Sequence, residues 1–403
     1  MIDPLREQDI EKEYARLRLT EVGPLGDMTA EYQGINIPVF GGIDGELVDA
    51  RIYRFKRRRT KMVMAMVVDV IEPSKYRISP PCSYFGSCSG CQWQHIDYPY
   101  QLYLKKRIVL KEFSSYQSLS SLEVLDVISS PSQFFYRNHA RFTVRFGGQL
   151  GFSNRITRRF VRIDECMLMS EKINETLIEL QDKSAETTNL SVRVGVNTND
   201  ILIQPTLLNP DITLETGQRW YLENMKGVKF RVASPSFFQV NTVQAENMVD
   251  IIGDLLDLTK EDTLVDAYAG VGTFAILLAD RAGKVIAIEE SSSAVEDAKF
   301  LADNIENVQF VLGKTEDVIA DLDAEIDALI LDPPRVGCHP DALEAILRFA
   351  PKKIAYVSCD PSTLARDLDI LLLGNYRIDH VQPIDMFPQT YHVECVVSLS
   401  LKD

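Results

Sequence analysis

From Leu17 to Ile71 apolar and polar residues alternate in short runs, among them I-P-V-F, E-L-V-D-A-R-I-Y and M-V-M-A-M-V-V-D-V-I. A period of two gives a strand one buried and one solvated face. Gly23, Gly26, Gly34, Gly41 and Gly42 interrupt the runs, so the segment 14–73 reads as a small β-barrel of about five strands. Residues 97–113 change to helical spacing and predict one amphipathic helix. Between about 120 and 235 the short alternating runs return, V-L-D-V-I, A-R-F-T-V-R-F, Q-L-G-F, F-V-R-I, S-V-R-V-G-V and D-I-L-I-Q-P, broken by one helix near 167–182. That pattern predicts a central antiparallel α+β domain spanning 74–235. After about 240 the pattern changes again. A helix over 242–257 leads into strands and helices that alternate to the end, which predicts a doubly wound domain over 236–403. The expected fold class is multi-domain α/β.

Length agrees with this division: 403 residues give room for two or three domains. The N-terminal M-I-D-P-L-R-E-Q-D-I-E-K-E is a charged lead-in with helical character and no apolar region of a secretory signal. No apolar run is long enough for a membrane helix. These features predict a cytoplasmic protein that meets no membrane. Its seven cysteines, an odd number, then read as ligands or nucleophiles rather than disulfides.

The formal net charge of -15 by itself argues against a nucleic-acid partner. Phosphate binding depends on local charge, however. The basic residues cluster ahead of residue 165: Lys56, Arg57, Arg58, Arg59 and Lys61; Lys105, Lys106 and Arg107; Arg137, Arg141 and Arg145; Arg155, Arg158, Arg159 and Arg162. Any one cluster is most simply a solvated face. Four in one part of the chain predict a basic surface.

The first chemical signal is L-V-D-A-Y-A-G-V-G-T-F, a strand, a glycine turn and a helix start. Gly270 and Gly272 let the backbone bend tightly and approach a ligand. Beyond them V-I-A-I-E-E ends a second strand at Glu289, where a carboxylate can accept hydrogen bonds from both hydroxyls of a ribose. The third glycine of a pyrophosphate site is missing. That fits adenosine without phosphates, as in S-adenosylmethionine, although nicotinamide enzymes and structural turns share part of the pattern. A-L-I-L-D-P-P-R then brings a buried strand to Asp332 and stiffens the next loop with two prolines. Methyltransferases that act on exocyclic amines tend to place an aromatic residue after such prolines. Arg335 stands there instead, which speaks against N-methylation.

I-A-Y-V-S-C-D-P-S-T-L-A-R-D-L puts Cys359 between a strand end and a helix start, with Asp360 placed as N-cap and Pro361 in the first turn. A thiol there is expected to have a lowered pKa, at the sheet edge where ligands bind in such folds. A buried, inert cysteine is an equal reading of position alone. The chain's last strand tips the balance. M-F-P-Q-T-Y-H-V-E-C-V-V-S-L-S-L places Glu394 at its apolar entrance, where a carboxyl would have a raised pKa and could act as a general base. Cys395 then faces the core, and Cys338 has no evident partner. A thiolate, a base and a methyl donor fit one reaction. Carbon 5 of uracil is too weak a nucleophile to attack a methyl sulfonium. Thiolate addition at carbon 6 makes carbon 5 enolate-like, carbon 5 takes the methyl group, a base removes its proton, and the thiolate leaves. Carbon 6 is inaccessible in a stacked helix, so the base would be flipped out.

The segment P-P-C-S-Y-F-G-S-C-S-G-C-Q-W-Q-H-I holds Cys82, Cys88 and Cys91. They read as three ligands of a metal site, and spacing alone leaves zinc and a [4Fe–4S] cluster open. Phe85, Trp93 and His95, and further along the chain Phe134 and Phe135, could stack on unpaired bases or pack around the metal.

Taken together, the barrel, G-C-x-x-Q-H, S-F-F-Q-V-N, D-A-Y-A-G-V-G-T-F, D-P-P-R, V-S-C-D-P and D-M-F-P-Q-T-Y-H-V-E resemble the RNA 5-methyluridine methyltransferase family. The resemblance covers nearly the whole chain and is strongest to iron–sulfur members that act on 23S ribosomal RNA. It implies a TRAM-like (OB-like) barrel for RNA binding, a central domain carrying the cluster segment, and a Rossmann-like class I methyltransferase domain. It implies Cys359 as nucleophile and Glu394 as base, with Gln239, Tyr268, Thr273, Glu289 and Asp332 binding S-adenosylmethionine. It implies Cys166 in R-I-D-E-C-M-L as a fourth metal ligand, and a structural [4Fe–4S] cluster in preference to zinc. The implied partner is RNA, ribosomal ahead of transfer RNA, with no obligatory protein partner. Three positions depart from the family pattern: Asp360 and Thr273 each stand where Asn is common, and Lys314 replaces a polar Asp or Asn.

Overall fold

The computed structural model describes residues 13–57, 60–154, 157–302, 305–322 and 325–402. The charged lead-in up to Lys12, and Arg58, Arg59 and Arg155 of the basic clusters, lie outside the described residues, as do the side chains of Lys56, Arg57 and Lys61.

The alternating N-terminal segment forms β1 (Tyr14–Arg18), β2 (Met28–Tyr32), β3 (Ile35–Phe40), β4 (Leu47–Arg57) and β5 (Thr60–Glu72), one sheet in the order β1-β4-β5-β3-β2. Just beyond β1 the chain closes on β2: Thr20 N–H donates to the Thr29 carbonyl and Thr29 N–H to that of Glu21, both at 2.8 Å. The inward positions Leu17, Ala30, Ile37, Val39, Val48 and Ala50 are buried in its core. Trp93 and Ile96, from the cysteine segment, and Leu104 of α1 (Tyr98–Phe113) complete that core. The Trp93 indole donates to the Gly26 carbonyl at 2.8 Å, and the His95 Nε2 lies 3.0 Å from the Gly42 carbonyl. Both rings are therefore packing residues that fasten the cysteine segment to the barrel, not surfaces for bases. Trp93→Ala removes a fully buried ring and leaves the Gly26 carbonyl without its donor. It is expected to cost about 3–5 kcal/mol, read as a lower midpoint of thermal unfolding. An unchanged midpoint would refute the fastening role.

The central sheet comprises β6 (His139–Arg145), β7 (Gln149–Ser153), β8 (Phe160–Arg162), β9 (Asn189–Val194) and β10 (Ile201–Gln204), with α2 (Glu171–Leu180) between β8 and β9. Its order is β10-β9-β6-β7-β8, every pair antiparallel. The apolar stripe Ile173, Leu177 and Leu180 of α2 packs with Phe142, Leu190 and Val192 of the sheet.

The hairpin β11 (Trp220–Met225) and β12 (Val228–Ala233) follows. Then come α3 (Thr242–Leu256), β13 (Thr263–Ala267), α4 (Thr273–Leu277), β14 (Lys284–Glu289), α5 (Ser292–Ala302), β15 (Val308–Leu312) and α6 (Thr315–Val318). The chain ends with β16 (Ala328–Leu331), α7 (Pro340–Phe349), β17 (Lys353–Ser358), α8 (Pro361–Leu371), β18 (Tyr376–Ile384) and β19 (Glu394–Leu401). The seven-stranded sheet runs β15-β14-β13-β16-β17-β19-β18. The first five strands are parallel, and β19 is antiparallel to both its neighbours. Tyr221, Met225, Phe230 and Val232 of the hairpin share one core with α3 and α4, so this core begins ahead of residue 236. Val109 and Phe113 of α1 enter the core on the sheet's other face.

Two sequence expectations give way here. V-L-D-V-I is not a strand. It runs beside β18, with Leu125 N–H donating to Val381 and Ile128 N–H to Pro383, but forms only the bridge Ile128–Ile384. Pro383 has no N–H to return, which breaks the ladder. Nor is Lys105–Arg107 a free basic run. Lys105 is fully buried against Asp385, while Lys106 pairs with Asp126 and Arg107 with Asp44. Among the described residues no helix is long and apolar enough to cross a membrane.

Candidate active site

The parallel strands β13, β14, β16 and β17 end together, and most of the chemistry-bearing residues sit at those ends. After β13 the chain turns through Tyr268 (φ +66°), Gly270 (φ +58°) and Gly272 (φ +82°) before α4 begins at Thr273. A Cβ on Gly272 would come within 2.6 Å of the Phe310 ring, so the turn can pack on β15 only with glycine there. A Cβ on Gly270 would meet nothing within 4 Å, which leaves that backbone open to approach. Glu289, at the end of β14, accepts the Gly270 N–H at 2.8 Å and the Ser291 N–H at 2.7 Å, one on each carboxylate oxygen. Two backbone donors thus fix its orientation, and each oxygen keeps a lone pair for a further donor.

Cys359 follows β17 directly. The Asp360 carboxylate accepts from Ser362 N–H at 3.0 Å and Thr363 N–H at 3.3 Å, so it caps α8 as its position predicts. The pairing of β17 with β19 matches Ser358 to Cys395. One step further along this antiparallel register sets Cys359 opposite Glu394. The two strands that carry them therefore deliver both side chains to the same edge. Asp332, just past β16, completes the group.

The electrostatics differ from the sequence expectation at the thiol. Burial, and then the Glu394 carboxyl, push Cys359 up to about 11, against an opposing pull from Arg335. These outweigh the helix N-terminus that was expected to lower it. Burial and the nearby Asp332 raise Glu394 well above the usual carboxylate range, again opposed by Arg335. Burial raises Asp332 to about 7. Asp266, within β13, is raised to about 8 by burial, and one of its carboxyl oxygens is buried without a hydrogen bond. Sequence reasoning missed Asp266 because it reads as one more residue of a buried strand. It treated Arg335 only as a missing aromatic.

A cavity of ≈ 600 Å³ opens beside this edge, lined by Tyr268, Glu289, Lys314, Pro334, Cys338 and Arg366 among others. Of the proposed cofactor residues, it brings together Tyr268 and Glu289. Lys314 stands in its wall, at the place where the family pattern has Asp or Asn. Thr273 is buried at the first position of α4. Gln239 precedes α3, its carbonyl accepting from Asn138 at 2.9 Å, and does not line the cavity.

Residues 219–402 match the family model described as tRNA (Uracil-5-)-methyltransferase. An uncharacterized RNA methyltransferase of Gloeobacter violaceus is 33% identical over 418 residues, covering 90% of each chain. Another, from Thermosynechococcus vestitus, is 32% identical over 95% of this chain and 97% of its own. The chain belongs to the RNA uracil-5-methyltransferase family. Among solved structures, the tRNA (uracil-54, C5)-methyltransferase of Pyrococcus abyssi in complex with S-adenosyl-L-homocysteine is 25% identical. It superposes with a TM-score of 0.75 over 96% of this chain and 100% of its own. The protein is thus a transferase of a family that methylates RNA from S-adenosylmethionine.

In this methyltransferase Cys82, Cys88, Cys91 and Cys166 line one further cavity, of ≈ 230 Å³, between the cysteine segment and the central sheet. Asn174 of α2 holds Cys166 in place, its Oδ1 accepting from Cys166 N–H at 2.8 Å and its Nδ2 donating to the Cys166 carbonyl at 3.1 Å. Among the described residues no group of three or more His, Cys, Asp or Glu is placed to hold a metal ion, and the four thiols share only the lining of this cavity. Arg137 and Arg141 line the same cavity, and the Arg137 Nε is buried without a hydrogen bond. Two guanidiniums against one carboxylate, Glu165, and an unused donor fit an anionic, thiolate-held group.

Proposed function

We propose that the protein methylates carbon 5 of a uridine in structured RNA through a covalent bond from Cys359 to carbon 6, with Glu394 removing the carbon 5 proton. The carrying observation is the β17–β19 register, whose last pair, Ser358 and Cys395, leads one step on to Cys359 and Glu394, with Asp332 near enough to raise both. Bound S-adenosylmethionine supplies the methyl group and a positive sulfonium. Gly270, Tyr268 and Glu289 would hold its adenosine, Glu289 through the ribose hydroxyls. Thr273 and Gln239 would lie along the remainder. Cys359 and Glu394 must each be anionic during the cycle, and burial opposes both. Arg335 favours both charged forms. The cysteines 82, 88, 91 and 166 would hold a [4Fe–4S] cluster that ties the cysteine segment to the central sheet. The five-stranded barrel, read as TRAM-like, would grip RNA.

The substrate proposed first is 23S ribosomal RNA. Transfer RNA is the second reading, favoured by the full-length likeness to an enzyme that acts on tRNA. Incubating total RNA with methyl-labelled donor and mapping the product separates them. Label in 5-methyluridine of ribosomal RNA supports the first and label in transfer RNA the second. Label in another base contradicts both.

Through the buried carboxyls of Asp332, just past β16, and Asp266, in β13, donor binding would also depend on pH. Asp332 (about 7) and Asp266 (about 8) ionise as pH rises, and only their ionised forms attract a cationic donor. Affinity for S-adenosylmethionine is expected to rise about tenfold between about pH 6 and about pH 8. Calorimetry should also find protons released on binding. A flat profile without proton release would remove these carboxyls from the donor site.

A further inference from the structure

The connection between β18 and β19, residues 385–393, leads directly into Glu394. Most of the polar backbone groups in its first half are held by residues from elsewhere in the chain. Asp385 follows Ile384, whose Cα partner across the strands is Glu394. Its carboxylate lies 2.5 Å from the Lys105 Nζ and accepts from the Tyr98 hydroxyl at 2.9 Å, both from α1. Lys105 and Asp385 are both fully buried. Lys105 also donates to the Phe387 carbonyl at 3.1 Å. Gln101, one turn earlier on α1, donates to the Gln389 Oε1 at 3.0 Å and accepts the Gln389 N–H at 3.1 Å. The Gln389 carbonyl accepts from Gln92 N–H and Trp93 N–H, each at 3.1 Å. Those amides come directly after Cys91. The Pro388 carbonyl accepts from Tyr136 at 3.1 Å, and that of Met386 from Asn241 at 3.3 Å. Gln389 itself sits at φ +68°, a conformation that needs such support.

A buried ion pair is a poor choice for stability alone, because desolvating two charges offsets most of their attraction. It does impose one geometry on the segment it joins. We infer that Lys105 and Asp385, with Gln101 and Gln389, are positioning residues that set Glu394 against the carbon 5 proton. The inference rests on the reading of Glu394 as base. Neither pair touches the reacting atoms. Through Gln92 and Trp93 the same segment is also braced by the cysteine segment.

The test separates bond formation from proton removal. Fluorine at carbon 5 cannot leave as a proton does, so an adduct with 5-fluorouridine RNA requires Cys359 but not the base. Release of methylated product from ordinary RNA requires both. Lys105→Met/Asp385→Asn removes both charges while keeping size and an acceptor. Gln389→Gly keeps the backbone conformation and the N–H bond to Gln101 but removes the side-chain bond from Gln101, and it serves should the double variant fail to fold. In either variant the 5-fluorouridine adduct is expected to form within about threefold of the wild-type rate. Product release from ordinary RNA should fall about 100-fold, the cost of roughly an ångström of misplacement, while a denaturation-resistant protein–RNA complex accumulates. A parallel fall in both rates, or no change in either, overturns the inference. If wild-type protein forms no adduct, the failure lies in the underlying covalent reading.

Discussion

Cys359→Ala protein is expected to transfer no measurable methyl group to RNA, a loss on the order of 10⁴-fold or more, while still binding donor and RNA. The side chain is only partly buried, at the end of β17, and the α8 cap belongs to Asp360, not to the sulfur. The substitution therefore leaves the sheet edge intact. Without the sulfur, carbon 5 has no route to enolate character. Melting temperature and donor affinity should match wild type, so lost activity reports lost chemistry. Retained methylation at even a few per cent would show that the reaction proceeds without an adduct at this residue. Cys338 and Cys395 provide the comparison. Both are buried in the same core, which Cys395 enters from the last rung of the β17–β19 ladder. Alanine at Cys395 should affect stability more than methyl transfer, while alanine at Cys338, in the wall of the ≈ 600 Å³ cavity, should also change donor affinity.

Glu394→Gln is expected to stop the cycle one step later. The amide keeps the shape of the side chain but takes no proton. Thiolate addition and methyl transfer proceed, and the complex stalls as a methylated adduct on ordinary RNA. Turnover should fall by about 10²–10⁴-fold. Stability should hold or rise. Burial keeps the Glu394 carboxyl far above its usual range, so the native fold gains nothing from its charge and loses nothing when it is removed. Gel electrophoresis under denaturing conditions reads the trapped complex. Loss of turnover without a trapped complex would place Glu394 earlier in the reaction, or outside it.

Most individual strands and the place of the glycine turn were legible because both are local. Alternation marks a strand, and L-V-D-A-Y-A-G-V-G-T-F carries its own turn chemistry. Asp360 was readable as a cap for the same reason. What escaped depended on distant partners. Lys105 reads as part of a basic run until Asp385, 280 residues away, is brought to it. Trp93 and His95 read equally as stacking or packing rings until the barrel closes over them. The Cys359 thiol was expected to be acidic from its helix end, but burial and Glu394 act from outside that helix. Asp266 gave no signal of its own, since a single carboxyl in an apolar strand resembles any other strand residue until its unused oxygen is seen.

The most direct test of the account is the mass of the species formed when wild-type protein, S-adenosylmethionine and 5-fluorouridine RNA are mixed. The expected product is one protein, one RNA and one added methyl group, with peptide mapping placing the bond on Cys359. Full binding of donor and RNA with no such species, or a bond on any other cysteine, would contradict it.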